Sequence, residues 1–241
     1  MNQTELNVTL PEGVSLQCVG QVLLNAWEVG SHQWTNTPIQ LREGPIPTPL
    51  TPVPQDAIEL FRVLNERQVP YLLVGGMAML TYVRGRNTKD VDLLMSAAAM
   101  QLMPELKIED RNDCFVRAHF RSVQVDLLLT TNPLFKTVEE RFATSHPFEE
   151  LTVPAATVEG LIVLKLFALP FLYRQLDWDR VSLYEADIKQ LLARYKSDVQ
   201  PLLALVEPHV LPGDIKELRN FIAEQQQRID RANEKYGSGQ T

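Results

Sequence analysis

The sequence predicts an α+β protein: a small mixed β-sheet core carrying helices, followed by a helical C-terminal domain. Three observations predict it. Short apolar, strand-like runs ("YLLV", "DVDLLM", "CFVRAHF", "VQVDLLL") crowd into one stretch before residue 130. From Pro154 onward the apolar periodicity turns helical. Strands first and helices later is the order of an α+β architecture.

The elements follow in chain order. Residues 1–44 read as an N-terminal arm or small subdomain. Within them "ELNVTL" alternates like a strand and "SLQCVGQVLLNAWEVG" suits a helix ending at Gly30, with Trp27 and Trp34 as candidate anchors. Residues 45–54, "PIPTPLTPVP", hold five prolines and predict an extended connector. A core follows over 55–153. "QDAIELFRVLNERQ" puts Ile58, Phe61 and Leu64 on one helical face, with Asp56 near its start as a cap. "YLLV" (71–74) is a short buried strand ending at Gly75-Gly76. "MAMLTYVRG" suits a helix closed by Gly85. "DVDLLM" (90–95) is the next strand, and Ser96 caps "AAAMQLMPEL". "CFVRAHF" and "VQVDLLL" form a hairpin around Arg121-Ser122.

The helical domain spans 154–236. "AATVEGLIVLKLFAL" is one helix, ended or kinked by Pro170. "SLYEADIKQLLARY" is a second, capped by Ser182. "DVQPLLALVEPHV" and "PGDIKELRNFIAEQQQRIDRANEKY" complete it. The tail 237–241, "GSGQT", is expected to be disordered.

Composition narrows the function. Of 241 residues 45% are apolar, enough for a sizeable core. Net charge is −7, which argues against a surface that coats nucleic acid, though not against a local basic groove. Cys18 and Cys114 make no CxxC, so neither a zinc knuckle nor a disulfide framework is indicated. With no secretory signal and no apolar run long enough for a membrane span, a soluble cytoplasmic protein is expected.

The segment "LLVGGMAMLTYVRGRNTKDVDLLM" holds the chemistry. Asp90 and Asp92 sit at i and i+2 in a strand, so their carboxylates project to one face and repel. Burying such a pair without a partner is costly. A divalent cation removes the cost, and Mg²⁺ prefers carboxylates together with phosphate oxygens, which points to a nucleotide. Asp126 is the only charge in "VQVDLLL". Beside the 90–95 strand it completes a triad able to hold two Mg²⁺ ions about 3.5–4 Å apart. A glycine-pair turn between strand and helix exposes backbone N–H groups and suits phosphate.

The order Gly-Gly turn, helix, Asp-x-Asp strand and later lone Asp resembles the DNA polymerase beta-type nucleotidyltransferase superfamily, over roughly residues 56–195. The helical part looks closest to bacterial nucleotidyltransferase toxins of abortive-infection and toxin–antitoxin systems, on Lys165 in "LIVLKLFAL", Arg174 in "LYRQ" and Asp187 in "ADIKQLL". The resemblance implies transfer of NMP from an NTP such as ATP, with Asp90, Asp92 and Asp126 as metal-binding and catalytic residues and Asp126 acting on the attacking hydroxyl. It implies triphosphate contacts at Gly75, Gly76 and Lys165, and nucleotide-binding roles for Arg174 and Asp187. It departs from the pattern in two places. Gly76 stands where many members have Ser, and the interval from Arg174 to Asp187 is longer than usual.

Plainer roles stand beside these. Asp90 and Asp92 could lie on a solvated edge strand or turn, and Asp126 on an exposed strand face. Lys165 could snorkel out of its helix. Thr88 and Lys89 could bind near the metal and nucleotide or be loop residues, as could Arg84 and Arg86. His32, His119, His146 and His209 have no ligand spacing and read as structural. The acceptor is open between a tRNA end, a protein side chain and a small molecule such as an aminoglycoside. A cognate antitoxin is a further expected partner, a membrane is not. The alternative function is a non-catalytic nucleotide- or partner-binding protein that keeps the fold.

Overall fold

A computed structural model describes residues 55–83, 88 and 90–236. The expectations for the arm, the connector, Gly85, Lys89 and the tail lie outside the described residues.

Helix α1 (Gln55–Glu66) buries Ala57, Leu60, Phe61 and Leu64 as one apolar stripe. Asp56 lies in its first turn, but its carboxylate accepts from the Ser122 N–H and hydroxyl, so it ties the helix to a hairpin turn. Strand β1 (Leu72–Val74) runs directly into the short helix α2 (Gly75–Met79). Strand β2 (Val91–Met95) precedes α3 (Ala97–Met100), where Ser96 Oγ accepts from the Ala99 N–H at 3.0 Å. Strands β3 (Lys107–Arg111), β4 (Phe115–Phe120) and β5 (Val123–Leu129) follow, then α4 (Pro133–Arg141), β6 (Ala143–Phe148) and β7 (Leu151–Ala156).

The seven strands form one mixed sheet in the order β3-β4-β5-β2-β1-β7-β6. β2 runs antiparallel to β1 and parallel to β5, and β1 runs parallel to β7. This places the Asp92 strand in the centre, with both neighbours hydrogen-bonded to it. The fully exposed β3 at one edge carries charges, a common way of blunting an open edge.

Helix α5 (Val158–Arg174) starts at a Thr157 cap. It is apolar on nearly all sides and correspondingly buried, as expected for a helix with protein on every face. α6 (Trp178–Arg194), α7 (Val199–Val206), a 3-10 turn (Glu207–His209) and α8 (Pro212–Tyr236) complete the α+β arrangement that the sequence predicts. None of the described helices is long and apolar enough to cross a membrane.

Several expected boundaries move. Residues 154–156 belong to β7, where Pro154 pairs with Ser145, so the helical part begins at Val158. The β6–β7 hairpin alternates poorly in sequence and carries prolines, which hid it. α5 passes through Pro170 and ends at Arg174, because surrounding packing outweighs the missing N–H. α6 begins at Trp178 under an Asp177 cap, four residues before the Ser182 start. α2 is also shorter than expected, with turn hydrogen bonds continuing to Val83.

The sheet part and the helices after it lie in one compact unit. Polar ties join them: Tyr195 donates to the Tyr82 carbonyl at 3.1 Å, and Ser197 to Glu159 at 2.7 Å.

Candidate active site

Strand register builds the site. β2 and β5 pair in parallel with Asp92 opposite Asp126, so both side chains rise from the same face of the sheet. The row extends on both sides. Val74 of β1 pairs with Asp92, Arg117 of β4 pairs with Asp126, and Asp110 of β3 pairs with Arg117. Adjacent strands lie about 4.8 Å apart, so a like-charged pair at positions 92 and 126 is enforced by the backbone. The opposite face carries Val91, Leu93, Val125 and Leu127, all essentially inaccessible. Those residues explain why the strands are held there whatever the carboxylates cost.

Asp92 sits under the glycine turn. Gly75 has φ +63°, the left-handed region that glycine adopts freely. A Cβ built there would lie 1.9 Å from Asp92 Oδ2 and 2.3 Å from Cγ. The Gly76 N–H donates to Asp92 Oδ2 at 3.2 Å. The glycines therefore serve Asp92 itself in this structure: one leaves space for its carboxylate and the other donates to it. The resemblance implies triphosphate contacts at Gly75 and Gly76; the Gly76 N–H is here turned to Asp92.

Burial pushes the Asp92 carboxyl up to about 6, and the charges of Asp90 and Asp126 add to the rise. The Gly76 hydrogen bond and the Lys165 charge act in the opposite direction. Desolvation is the larger cause, and repulsion from the neighbouring carboxylates adds to it.

Asp90 lies just before β2, in a bend, and accepts from Thr88 Oγ1 at 2.9 Å. Strand alternation from 90 to 92 is therefore not what aligns the two carboxylates. The Asp90 charge nonetheless raises the Asp92 carboxyl, so the two lie in one neighbourhood.

Asp126 is 2% exposed and carries its own cation. Arg117 Nε donates to Oδ1 and Nη2 to Oδ2, both at 3.0 Å, and Gln124 Nε2 adds a contact to Oδ1 at 3.2 Å. Bidentate forks of this kind are among the strongest side-chain hydrogen bonds. The expectation of a free third carboxylate is thus modified: both oxygens of Asp126 are engaged.

Lys165 and Asp187 are each 3% exposed and form an ion pair, Nζ to Oδ2 at 2.7 Å. Lys165 Nζ also lies 4.2 Å from the centre of the Tyr184 ring. Tyr184 and Asp187 share one face of α6, three residues apart. Lys165 does not snorkel out, and its charge reaches Asp92. Arg174 is elsewhere. It follows Lys165 by nine residues on α5, about 13 Å along the axis and half a turn around. Its guanidinium grips Asp214 at the start of α8, with both contacts at 2.9 Å. So the structure brings together Gly75, Gly76, Asp90, Asp92, Asp126, Thr88, Lys165 and Asp187, and leaves Arg174 out.

Sequence reasoning missed Arg117. The hairpin turn Arg121-Ser122 fixes the register: Phe120 faces Val123, so Arg117 must face Asp126. Counting back from the turn would have found it.

The donor set suits a hard cation in part. Asp90 and Asp92 offer carboxylate oxygens of the kind Mg²⁺ takes. Among the described residues, however, no group of three His, Cys, Asp or Glu side chains converges as a ready cage. The Arg117 fork on Asp126 accounts for that physically.

No protein-family profile matches the chain, and no curated protein sequence matches it. Solved structures do. One is a crystal structure of an antigenic nucleotidyltransferase-like protein from Paracoccidioides brasiliensis, 15% identical, covering 76% of this chain and 91% of its own, with a TM-score of 0.47. Two others are of the antibiotic-resistance factor ANT(2'')-Ia. The crystal structure in complex with adenylyl-2''-tobramycin is 11% identical and covers 64% of this chain and 95% of its own, TM-score 0.41. The solution structure is 13% identical and covers 74% and 95%, TM-score 0.42.

Proposed function

We propose that this protein is a Mg²⁺-dependent nucleotidyltransferase, moving a nucleoside monophosphate from an NTP to a hydroxyl or phosphate acceptor. The observation that carries the proposal is the position of Asp92. It stands in register with Asp126, within the field of Asp90, beneath a glycine whose missing Cβ makes room for it. A purely structural strand has no reason to gather three carboxylates, one of them buried and two half-buried, in one neighbourhood.

Asp90 and Asp92 would hold the ion, with Asp126 beside them. Bound there, a divalent ion supplies charge neutralisation for phosphate oxygens and for the group that leaves. The remaining roles belong to side chains present. Lys165, fixed between Asp187 and Tyr184, offers a positive charge toward the Asp92 side of the site for the triphosphate. The Gly76 N–H holds the Asp92 carboxylate in one orientation. Thr88 does the same for Asp90. Arg117 engages both oxygens of Asp126 and holds it in place, so Asp126 acts as a fixed charge rather than a mobile base.

A second reading has one observation in its favour. The Arg117–Asp126 fork neutralises the third carboxylate internally, which suits a module that binds nucleotide without transferring it. One experiment separates the two. The protein is incubated with α-labelled NTPs, Mg²⁺ and, in separate arms, total tRNA, protein extract and tobramycin. Label appearing on one acceptor with wild type, and reduced at least a hundredfold with Asp92→Asn, supports transfer. NTP binding without labelling of any acceptor supports the module. If neither Mg²⁺ nor NTP raises the unfolding temperature, both readings fail. A toxin role would show as labelling of tRNA or protein that the product of a neighbouring gene suppresses.

A further inference from the structure

We infer that Arg117 is the site's resident second cation, so that the acidic cluster takes one divalent ion rather than two. The inference rests on the nucleotidyl-transfer reading for the presence of any ion.

The geometry of Asp126 is the starting point. A carboxylate offers about four lone-pair positions. Arg117 Nε, Arg117 Nη2 and Gln124 Nε2 use three of them. At 2% exposure, Asp126 has almost no contact with solvent through which another cation could arrive. A metal ion bridging Asp92 and Asp126 would have to displace a guanidinium held by two parallel hydrogen bonds and by strand register. On the other side of the row, among the described residues, Asp90 accepts one side-chain hydrogen bond, from Thr88, and Asp92 one from a backbone N–H.

Charge counting agrees. Asp90, Asp92 and Asp126 carry three negative charges. Arg117 and one divalent ion cancel all three. Lys165 and Asp187 together add no net charge to the sum, although the nearer Lys165 charge still lowers the Asp92 carboxyl. Two divalent ions in addition to Arg117 would leave two positive charges in excess. Nearby, Asp110 stands in register with Arg117 on β3, and Glu109 is engaged by His119 at 3.2 Å. These acids hold the guanidinium in place without hydrogen-bonding to it.

The fork also leaves Arg117 able to act on substrate. Its bonds to Asp126 use Nε and one proton of Nη2. Nη1 makes no hydrogen bond among the described residues, and the side chain is 38% exposed. A planar guanidinium can grip a carboxylate along one edge and donate to a phosphate oxygen from another. Arg117 therefore offers, without dissociating, the positive charge that a second metal would bring to a transferring phosphoryl group.

The test is metal stoichiometry on the full chain, read by the loss of the free Mn²⁺ electron paramagnetic resonance signal. The wild type should bind one Mn²⁺. Arg117→Gln should bind two, because a neutral side chain releases Asp126, whereas Arg117→Lys, which keeps the charge, should bind one. Two ions in the wild type overturn the inference while leaving the nucleotidyl-transfer reading intact. One ion in a folded Arg117→Gln variant, with unchanged affinity, overturns it too. No ion in the wild type removes both. If Arg117→Gln fails to fold, the wild-type count alone decides between one and two.

Discussion

Asp92 occupies the space that a side chain on residue 75 would fill. Its carboxyl lies 1.9–2.3 Å from the position of the missing Cβ, and its own Cβ lies 2.6 Å away. Gly75→Ala should therefore destabilise the protein by about 3 kcal/mol or more, combining overpacking with the strain of a positive φ. At this chain length the unfolding temperature should fall by roughly 6–12 °C. Asp92→Ala should not relieve the clash, because the Asp92 Cβ itself is in the way. A thermal melt of Gly75→Ala within 1 °C of wild type would show that the turn can move aside.

The raised Asp92 carboxyl predicts an unusual pH profile for the metal-free protein. Its ordinary value is 3.8 and its folded value is about 6. The folded state thus holds this proton more tightly than the unfolded state does. Below pH 4 both states are protonated and there is no penalty. As pH rises through 6 the folded state must ionise a buried group, and stability falls by about 3 kcal/mol across that window. Urea titrations from pH 4 to 7.5 should show that fall in wild type relative to Asp92→Asn, which has no proton to lose. Mg²⁺ should reverse it at pH 7.5 and do little at pH 4.5. Parallel profiles for the two proteins would contradict the assignment.

Removing either half of the Arg117–Asp126 pair should have unequal consequences. Arg117 is 38% exposed and can be rehydrated, but Asp126 is 2% exposed and cannot. Arg117→Met strands a buried carboxylate and should cost about 3–5 kcal/mol. Asp126→Asn leaves a guanidinium that turns to water, and should cost about 1 kcal/mol. Chemical denaturation of both variants at pH 7 measures the difference. Equal costs would mean that Asp126 reaches solvent after all.

How far the sequence carried this picture depends on what holds each part. The Asp92–Asp126 neighbourhood was legible because two strands, each with a lone-charge pattern on an apolar background, had to lie on the same buried sheet. The helices from α5 on were legible from period alone, and so were the starts of α7 and α8, but the starts of α5 and α6 were not. Asp177 caps α6 ahead of the expected Ser182, and Thr157 caps α5 two residues after the expected start at Ala155, because Ala155 and Ala156 are taken up by β7. The β6–β7 hairpin was invisible because its prolines and weak alternation argue against strands, and only pairing with β1 rescues it. Asp90 was misplaced by one residue, onto the strand instead of the bend before it. Arg174 failed for another reason. Nine residues of helix turn it away from Lys165, a consequence of pitch that a motif match ignores.

The last prediction concerns Lys165 and Asp187, which meet at 2.7 Å with almost no solvent contact. Each charge is costly alone in that environment, so either Lys165→Met or Asp187→Asn should destabilise by about 3–5 kcal/mol. The double variant removes both charges together and should cost clearly less than the sum, a coupling measurable by a double-mutant cycle. The two single variants should then act oppositely on Asp92. Lys165 is the side-chain cation that lowers the Asp92 carboxyl. Losing it should move the pH window of instability upward, beyond 6. Asp187→Asn removes the carboxylate charge beside Lys165, and the field of Lys165 on Asp92 grows, so the window should move downward. A stability profile taken every half pH unit distinguishes these directions. Shifts of the same sign in both variants would mean that Lys165 acts on the site only by packing, and its proposed electrostatic role toward a triphosphate would go with it.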